Sequence, residues 1–473
     1  MLSFRAAKDI LRKYDQEHVL AFFAELSPAG QQGLLDQVEA IDFEQLDRLI
    51  RTLVFSNPPA LDLSNLSPAP VLPAEAKDPQ VQQRYAQARR IGGELIAAGK
   101  VAAMVVAGGD GTRLGFSGPK GCLPVTPVKR KSLFAVFAEQ ILATQRRYGC
   151  PVPWYIMTSP ANDAATRDFL AASAYFGLDE RDVFIFTQGQ VPTVGIDGKI
   201  ILAEKDRIAA NPDGHGGSLT ALRRSGALED MARRGVEYIS YFQVDNPLVH
   251  CVDPLFIGLH AQEKAEASAK ALPKREPLEK LGNFCTLDGK VTVIEYSDLP
   301  EELARATRSD GKLLFGAGSI AIHVFSREFV ERLTAGAGFE LPFHRAFKKV
   351  AAVGPTGAKV QPDQNNAVKF ETFVFDAMPL AAATVILETR RSEEFSPVKN
   401  ATGSDSLASC LHDQLRRSAQ WLESAGRRAP RDADGRPAAA IEISPLFALD
   451  EGELAAKLPK DLAIKGGDEI YLG

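Results

Sequence analysis

The chain has 473 residues, 45% of them hydrophobic and 24% charged, with a formal net charge of −5, so its length allows a main domain plus one or two smaller ones. The acidic balance provides no global basic surface for nucleic acid or an anionic membrane, and any anionic ligand has to be held by local cations. The five cysteines, Cys122, Cys150, Cys251, Cys285 and Cys410, are scattered and contain no C-x-x-C pair, which argues against a disulfide framework and a zinc site and fits a reducing cytoplasm.

Charge at Arg5, Lys8 and Asp9 interrupts what an export signal would need as an apolar core, so none is expected. Residues 5–55 place Leu20, Phe23 and Leu26, then Leu34, Leu35 and Val38, at helical spacing; this predicts amphipathic helices joined at Ser27-Pro28. Prolines 58, 59, 68, 70 and 73 make 57–79 an extended connector. After a helix at 81–98, strands at 101–107, 154–158 and 183–186 alternate with helices at 133–148 and 164–175. That alternation predicts an α/β fold with a doubly wound, mostly parallel sheet and ligands at the carboxyl ends of its strands. The apolar run 378–387 is far short of the roughly 20 residues of a membrane helix and reads as buried structure. A helix at 407–424 and short strands at 439–443 and 469–472 suggest a small C-terminal domain. The expected ranges are 1–95 for helices and connector, 96–400 for the catalytic domain and 401–473 for the C-terminal part.

The strand at 101–107 is apolar on both faces and runs into Gly108-Gly109-Asp110-Gly111-Thr112-Arg113-Leu114-Gly115, followed by Pro119-Lys120-Gly121. Glycines let the backbone bend until several N–H groups face one anion, and Arg113 and Lys120 add mobile positive charge. A bare glycine pair is as often a structural turn. The string is no P-loop, and its G-x-G-x-x-x-G spacing fits a dinucleotide fingerprint poorly; the acid expected about 20 residues on is replaced by Lys129-Arg130-Lys131. The pattern G-G-x-G-T-R-L-G…P-K-G resembles instead the signature of sugar nucleotidyltransferases.

Gln188 follows the next strand and carries the donor and acceptor that match the imide edge of uracil, although such a glutamine is more often a surface residue. Asn211-Pro212-Asp213-Gly214-His215-Gly216-Gly217 is a second glycine loop, where backbone can approach a ring. The apolar strand from Tyr238 runs into Asp245, placed either to hold a hard metal ion or to cap a turn. Lys369 and Lys399, taken singly, read as solvated lysines.

Together with Tyr175-Phe176-Gly177-Leu178, Glu295-Tyr296-Ser297, Phe373-Val374-Phe375-Asp376 and Glu394-Phe395-Ser396-Pro397-Val398-Lys399-Asn400, these motifs resemble the eukaryotic-type UDP-N-acetylhexosamine pyrophosphorylases. They lie within the wider UDP-sugar pyrophosphorylase family, and the likeness spans almost the whole chain. It implies a Rossmann-like, glycosyltransferase-A-like sheet and the reaction of UTP with a sugar 1-phosphate, N-acetylglucosamine 1-phosphate first, with Mg2+. It further implies that Ala107, Gly108, Gly109, Gly111, Thr112, Arg113 and Lys120 hold the triphosphate, that Gln188 and Gly214 read uracil, and that Asp245 takes the metal. Lys369 would face phosphate, while His215, Glu295, Tyr296, Phe373, Phe375 and Lys399 would surround the sugar phosphate; Arg113, Lys120, Lys369 and Lys399 are the expected catalytic cations. Two departures favour a plain hexose: His215 stands where the N-acetylhexosamine enzymes carry asparagine, and Phe315-Gly316-Ala317-Gly318-Ser319 replaces F-N-A-G-N. A UDP-sugar-binding regulator without turnover stays open, whereas the glycine spacing disfavours a nicotinamide-dependent oxidoreductase. No protein partner is implied.

Overall fold

The computed structural model describes residues 2–56, 61–336, 341–459 and 462–473, so Pro58 and Pro59 of the expected connector lie outside the described residues. Its contacts gather into two compact units. The first comprises Met1–Asp62, Gln188–Thr220 and Glu340–Asp376, and the second Leu63–Thr187, Ala221–Phe339 and Ala377–Gly473. Each is assembled from three separate stretches, a division that cuts across the three consecutive ranges expected from sequence.

The second unit holds the large central sheet. Val101–Val106 runs parallel to Tyr238–Gln243 on one side and to Trp154–Thr158 on the other, with Val183–Thr187 parallel beyond. Burial of Val101 to Val105 reflects a central strand covered on both faces. Past Tyr238–Gln243 the sheet continues antiparallel through Ala317–Ser326 to Ala267–Pro273 and Asn283–Leu287. Leu133–Tyr148 forms a helix because the Ser132 side chain caps its start, accepting from the Ala135 N–H, and Gly149 ends it with φ 69°. Phe134, Phe137 and Ile141 on that helix pack with Trp154, Ile156 and Phe242 of the sheet in one core.

The connector is not merely extended chain: Leu66–Pro68 pairs antiparallel with Asn283–Leu287, and Leu72 bridges Leu387. Pro68 is tolerated because this is an edge strand. The run 378–387 is split between a 3-10 turn, Val374–Leu380, and the strand Thr384–Glu388. At the C-terminus, Leu407–Ser424 is a capped helix, and Ala440–Ile443 pairs in parallel with Glu469–Leu472. These pieces hold the loop after the glycine turn: the Glu442 carboxylate accepts the N–H groups of Val128 and Lys129 at 2.8 and 2.7 Å, and the Gln414 amide donates to the Val125 carbonyl at 2.7 Å. Among the described residues no helix is long and apolar enough to cross a membrane.

In the first unit, Pro28–Glu39 forms as the periodicity predicts, capped by Ser27, and is flanked by helices Phe4–Lys13 and Phe43–Leu49; the helix expected through Leu20, Phe23 and Leu26 is instead two short 3-10 turns, Glu17–Leu20 and Phe23–Glu25, with Leu26 extended. Their buried side chains, among them Leu11, Leu34 and Leu46, share a core with Val191, Val194, Ile200, Val368 and Phe370. A small antiparallel sheet runs Phe343–Lys348, Ala367–Thr372, Val194–Gly195. The buried Gln16 amide locks the N-terminal segment to it, donating to the Gly198 carbonyl at 2.9 Å and accepting from the Ile200 N–H at 2.8 Å.

Candidate functional site

In the second unit, the Ala107 N–H donates to the Met157 carbonyl at 2.7 Å, which extends the strand pairing by one residue before the chain turns away. The loop then folds on itself: Gly111 N–H donates to Gly118 O at 2.9 Å, Phe116 N–H to Gly111 O at 3.1 Å, and Lys120 N–H to Gly109 O at 3.1 Å. The loop closes tightly at Gly111, where a Cβ would lie 2.7 Å from the Phe116 ring and could be admitted only if that ring shifted. Gly109 is different: a Cβ there would meet nothing within 4 Å, so its side of the backbone is open. The buried Asn162 amide, which the sequence did not single out, donates to the carbonyls of Ala107 and Gly109 at 3.2 and 3.3 Å. It ties the loop's carbonyls back. Gly108 is half-buried on this turn, while Thr112 and Arg113 start a short exposed 3-10 turn.

The Val244 N–H donates to the Val106 carbonyl at 3.1 Å, placing Asp245, 8% exposed, beside the glycine loop. The Lys120 ammonium lies 3.8 Å from the Asp245 carboxylate. Burial pushes the Lys120 pKa below the ordinary lysine value; Lys399 and Arg113 push it down further, and Asp245 offsets this only in part. Lys120 is thus paired with one carboxylate while two further cations, Lys399 and Arg113, lie near enough to repel it, an excess of positive charge suited to a polyanion. Lys399 itself is exposed, its ammonium 5.8 Å from the Phe395 ring centroid.

Glu295 and Tyr296 follow the strand Lys290–Ile294, and Tyr296 is 44% exposed. The Ser319 N–H donates to the Gly282 carbonyl at 2.8 Å, and a Cβ on Gly282 would lie 3.2 Å from a Glu295 carboxylate oxygen. Gly282, Glu295 and Ser319 thus form one cluster.

The remaining candidates lie in the first unit. Gln188 is buried, not solvent-facing. The second glycine loop is zipped to the end of the strand Ala367–Thr372: Thr372 donates to the Asp213 carbonyl through its N–H at 2.8 Å and its hydroxyl at 2.7 Å, and the Gly216 N–H donates back to Thr372 O at 2.9 Å. Gly214, at φ 87°, has backbone so close that a Cβ would sit 2.3 Å from Thr372 O. The His215 Nδ1 accepts the Val374 N–H at 3.1 Å, so the proton of the neutral ring is on Nε2. The His215 ring stacks on Phe373 at 5.3 Å and meets Phe375 edge-on at 5.8 Å. His344, which the sequence did not flag, stacks on Phe373 at 4.5 Å with its Nε2 2.8 Å from Asp376. Lys369 is half-buried on the same strand, opposite Ala346. The structure therefore gathers Arg113, Lys120, Asp245 and Lys399 in one unit and His215, Phe373 and Phe375 in the other.

A glycine loop at the carboxyl end of a parallel sheet, flanked by cations and one carboxylate, defines an α/β protein of the nucleotidyltransferase class. The family model described as UTP–glucose-1-phosphate uridylyltransferase matches residues 72–431, and the chain belongs to that family: it is a uridylyltransferase. It is 38% identical to human UDP-N-acetylhexosamine pyrophosphorylase-like protein 1, over 94% of this chain and 93% of that protein. To UDP-N-acetylglucosamine diphosphorylase 2 of Arabidopsis thaliana it is 35% identical, covering 93% and 89%. The crystal structure of the uridine diphosphate N-acetylglucosamine pyrophosphorylase of Trypanosoma brucei in complex with inhibitor superposes with a TM-score of 0.82 at 27% identity, over 96% of this chain and 95% of that one.

Proposed function

We propose that the chain transfers the uridylyl group of UTP to N-acetylglucosamine 1-phosphate, giving UDP-N-acetylglucosamine and pyrophosphate. The observation that carries the reaction is the Lys120–Asp245 pair beside the glycine loop, with Lys399 and Arg113 close enough to Lys120 to act on its charge; the names of the relatives support the sugar. A phosphate oxygen of the sugar 1-phosphate attacks the α-phosphorus of UTP in line, a new P–O bond forms, and the bond to the β-phosphate breaks. The nucleophile is already anionic and needs no general base, so the protein's work is to bring two anions together and stabilise charge on the leaving pyrophosphate. Gly108, Gly109, Gly111 and Thr112 bind the triphosphate through the loop, with Arg113 and Lys120 supplying charge. The family resemblance assigns, within the second unit, Lys399 to phosphate and Glu295 and Tyr296 to the sugar, and, within the first, Gln188 and Gly214 to uracil, Lys369 to phosphate and His215, Phe373 and Phe375 to the sugar.

The nearly buried carboxylate of Asp245 is a hard oxygen donor that would hold Mg2+. When bound, the ion screens the repulsion between the two substrates. One observation favours a second reading, a plain hexose 1-phosphate: His215 and Ser319 stand at positions where the N-acetylhexosamine enzymes are expected to carry amides. Pyrophosphate release from UTP, measured side by side with N-acetylglucosamine 1-phosphate and glucose 1-phosphate, tests both. A higher kcat/KM for the acetamido sugar is expected; preference for glucose 1-phosphate would replace the first reading with the second, and no turnover with either would remove both.

A further inference from the structure

Asn246, next to Asp245, is 4% exposed. Both ends of its amide are used on another segment: Nδ2 donates to the Glu394 carbonyl at 2.6 Å, and Oδ1 accepts the Ser396 N–H at 3.0 Å. Two residues further, the Val398 N–H donates to the Asp245 carbonyl at 2.8 Å. The segment 394–398 is therefore zipped onto Asp245 and Asn246 as a strand would be, with one side chain doing the work of a backbone. Lys399 comes next, and its own N–H and that of Asn400 are held by the Asp405 carbonyl at 2.6 and 2.9 Å.

The zipper rests on a buried ion cluster. The Lys270 ammonium, 1% exposed, donates to both Glu394 carboxylate oxygens at 2.5 and 2.6 Å and to Asp253 at 2.7 Å, and the Thr389 hydroxyl donates to Glu394 at 2.5 Å. Burial works to raise the Glu394 pKa, but the Lys270 charge outweighs it and holds the carboxyl below its usual range. Glu394 is thus a fixed point from which the chain runs to Lys399. His250, Asp253 and Glu394 have the donor set of a metal site, but the Lys270 ammonium already supplies the cation there.

We propose that Asn246 is a positioning residue that sets Lys399 against Asp245, an inference that rests on the reading of Lys399 as a phosphate-holding cation. Only an amide of this length provides a donor for Glu394 O and an acceptor for Ser396 N–H together: aspartate lacks the donor, alanine lacks both, and glutamine is one methylene too long. A misplacement of about 1 Å lowers turnover on the order of a hundredfold.

The test is a double-mutant cycle on the purified full chain, following pyrophosphate release from UTP and N-acetylglucosamine 1-phosphate, with Tm recorded for each variant. Asn246→Ala is expected to lower kcat about 10- to 100-fold while KM for UTP stays within about threefold, because the glycine loop is untouched. Lys399→Ala should lower kcat on the order of a hundredfold. The double variant should be no slower than Lys399→Ala by more than about threefold, since a displaced lysine has little left to lose. A purely structural asparagine would lower Tm and leave kcat below melting unchanged, and that result overturns the proposal. Fully multiplicative losses also overturn it, because Lys399 would then act without Asn246. Wild-type turnover in Lys399→Ala would overturn the reading beneath the inference as well as the inference. Should the alanine variant not fold, Asn246→Asp, which keeps the shape and the acceptor but loses the donor, carries the same cycle and the same outcomes.

Discussion

At the residue scale, Lys120 joins the geometry to a measurable pH dependence. Its ammonium is desolvated and crowded by Lys399 and Arg113, so its pKa is lowered in the free protein. A lowered lysine pKa means the charged form is lost as pH rises through a value below the ordinary 10.5. The alkaline limb of kcat/KM for UTP is therefore expected below that value, and the limb of kcat above it in pH, because bound phosphates stabilise the ammonium. Lys120→Ala should reduce kcat on the order of a hundredfold. Lys120→Arg, which stays protonated throughout, should retain part of the activity and abolish the limb; an arginine variant with the same alkaline limb would assign that titration elsewhere. Arg113 and Lys120 are legible in sequence because their motif is local. Asn162, Asn246 and His344 are not: an amide or imidazole acquires its role only when the segment it binds arrives from 53, 148 or 32 residues away.

At the scale of elements, long segments with clear periodicity and caps are legible to within a residue or two, as in Leu133–Tyr148 and Leu407–Ser424. The connector is the counterexample: the edge strand Leu66–Pro68 exists only through its distant partner Asn283–Leu287, and its prolines hide it. Helix-on-helix contact is likewise invisible in one dimension. Pro79–Ala97 and Pro254–Gln262, each begun by an Asp-Pro cap, meet backbone to backbone where a Cβ on Gly92 would lie 1.9 Å from Pro254 O and one on Gly258 1.8 Å from Ala88 O. Glycine costs a helix about 1 kcal/mol relative to alanine, so propensity alone predicts that Gly258→Ala stabilises. The clash is with backbone, which cannot swing aside, and overpacking of this kind costs about 1–3 kcal/mol. A net loss is expected, read as a lowered midpoint in thermal or urea unfolding. A Gly258→Ala protein as stable as wild type would mean the helices can separate at no cost.

At the scale of the whole molecule, the order of motifs along the chain did not reveal how the compact units are composed. The first unit takes Gln188–Thr220 and Glu340–Asp376 from the middle of the chain because their apolar residues Val191, Ile200, Val368 and Phe370 complete the core of the N-terminal helices. The second contains a global proton linkage at His260. Its Nδ1 lies 2.7 Å from the Ser268 hydroxyl and its Nε2 3.0 Å from that of Ser326, whose own proton goes to the Ala265 carbonyl at 2.9 Å. Nε2 therefore donates and Nδ1 accepts, which is the neutral ring. Burial lowers the pKa from 6.5 to about 3. Between those values the unfolded chain binds a proton that the folded chain refuses, so the stability this group allows is complete above pH 6.5 and is lost as pH falls. The loss is about 1.4 kcal/mol per pH unit, or roughly 2 kcal/mol at pH 5. His260→Gln cannot titrate; urea melts at pH 7 and pH 5 should show the wild type losing about 2 kcal/mol more than the variant. Equal losses in the two proteins would mean that the folded state accommodates the imidazolium.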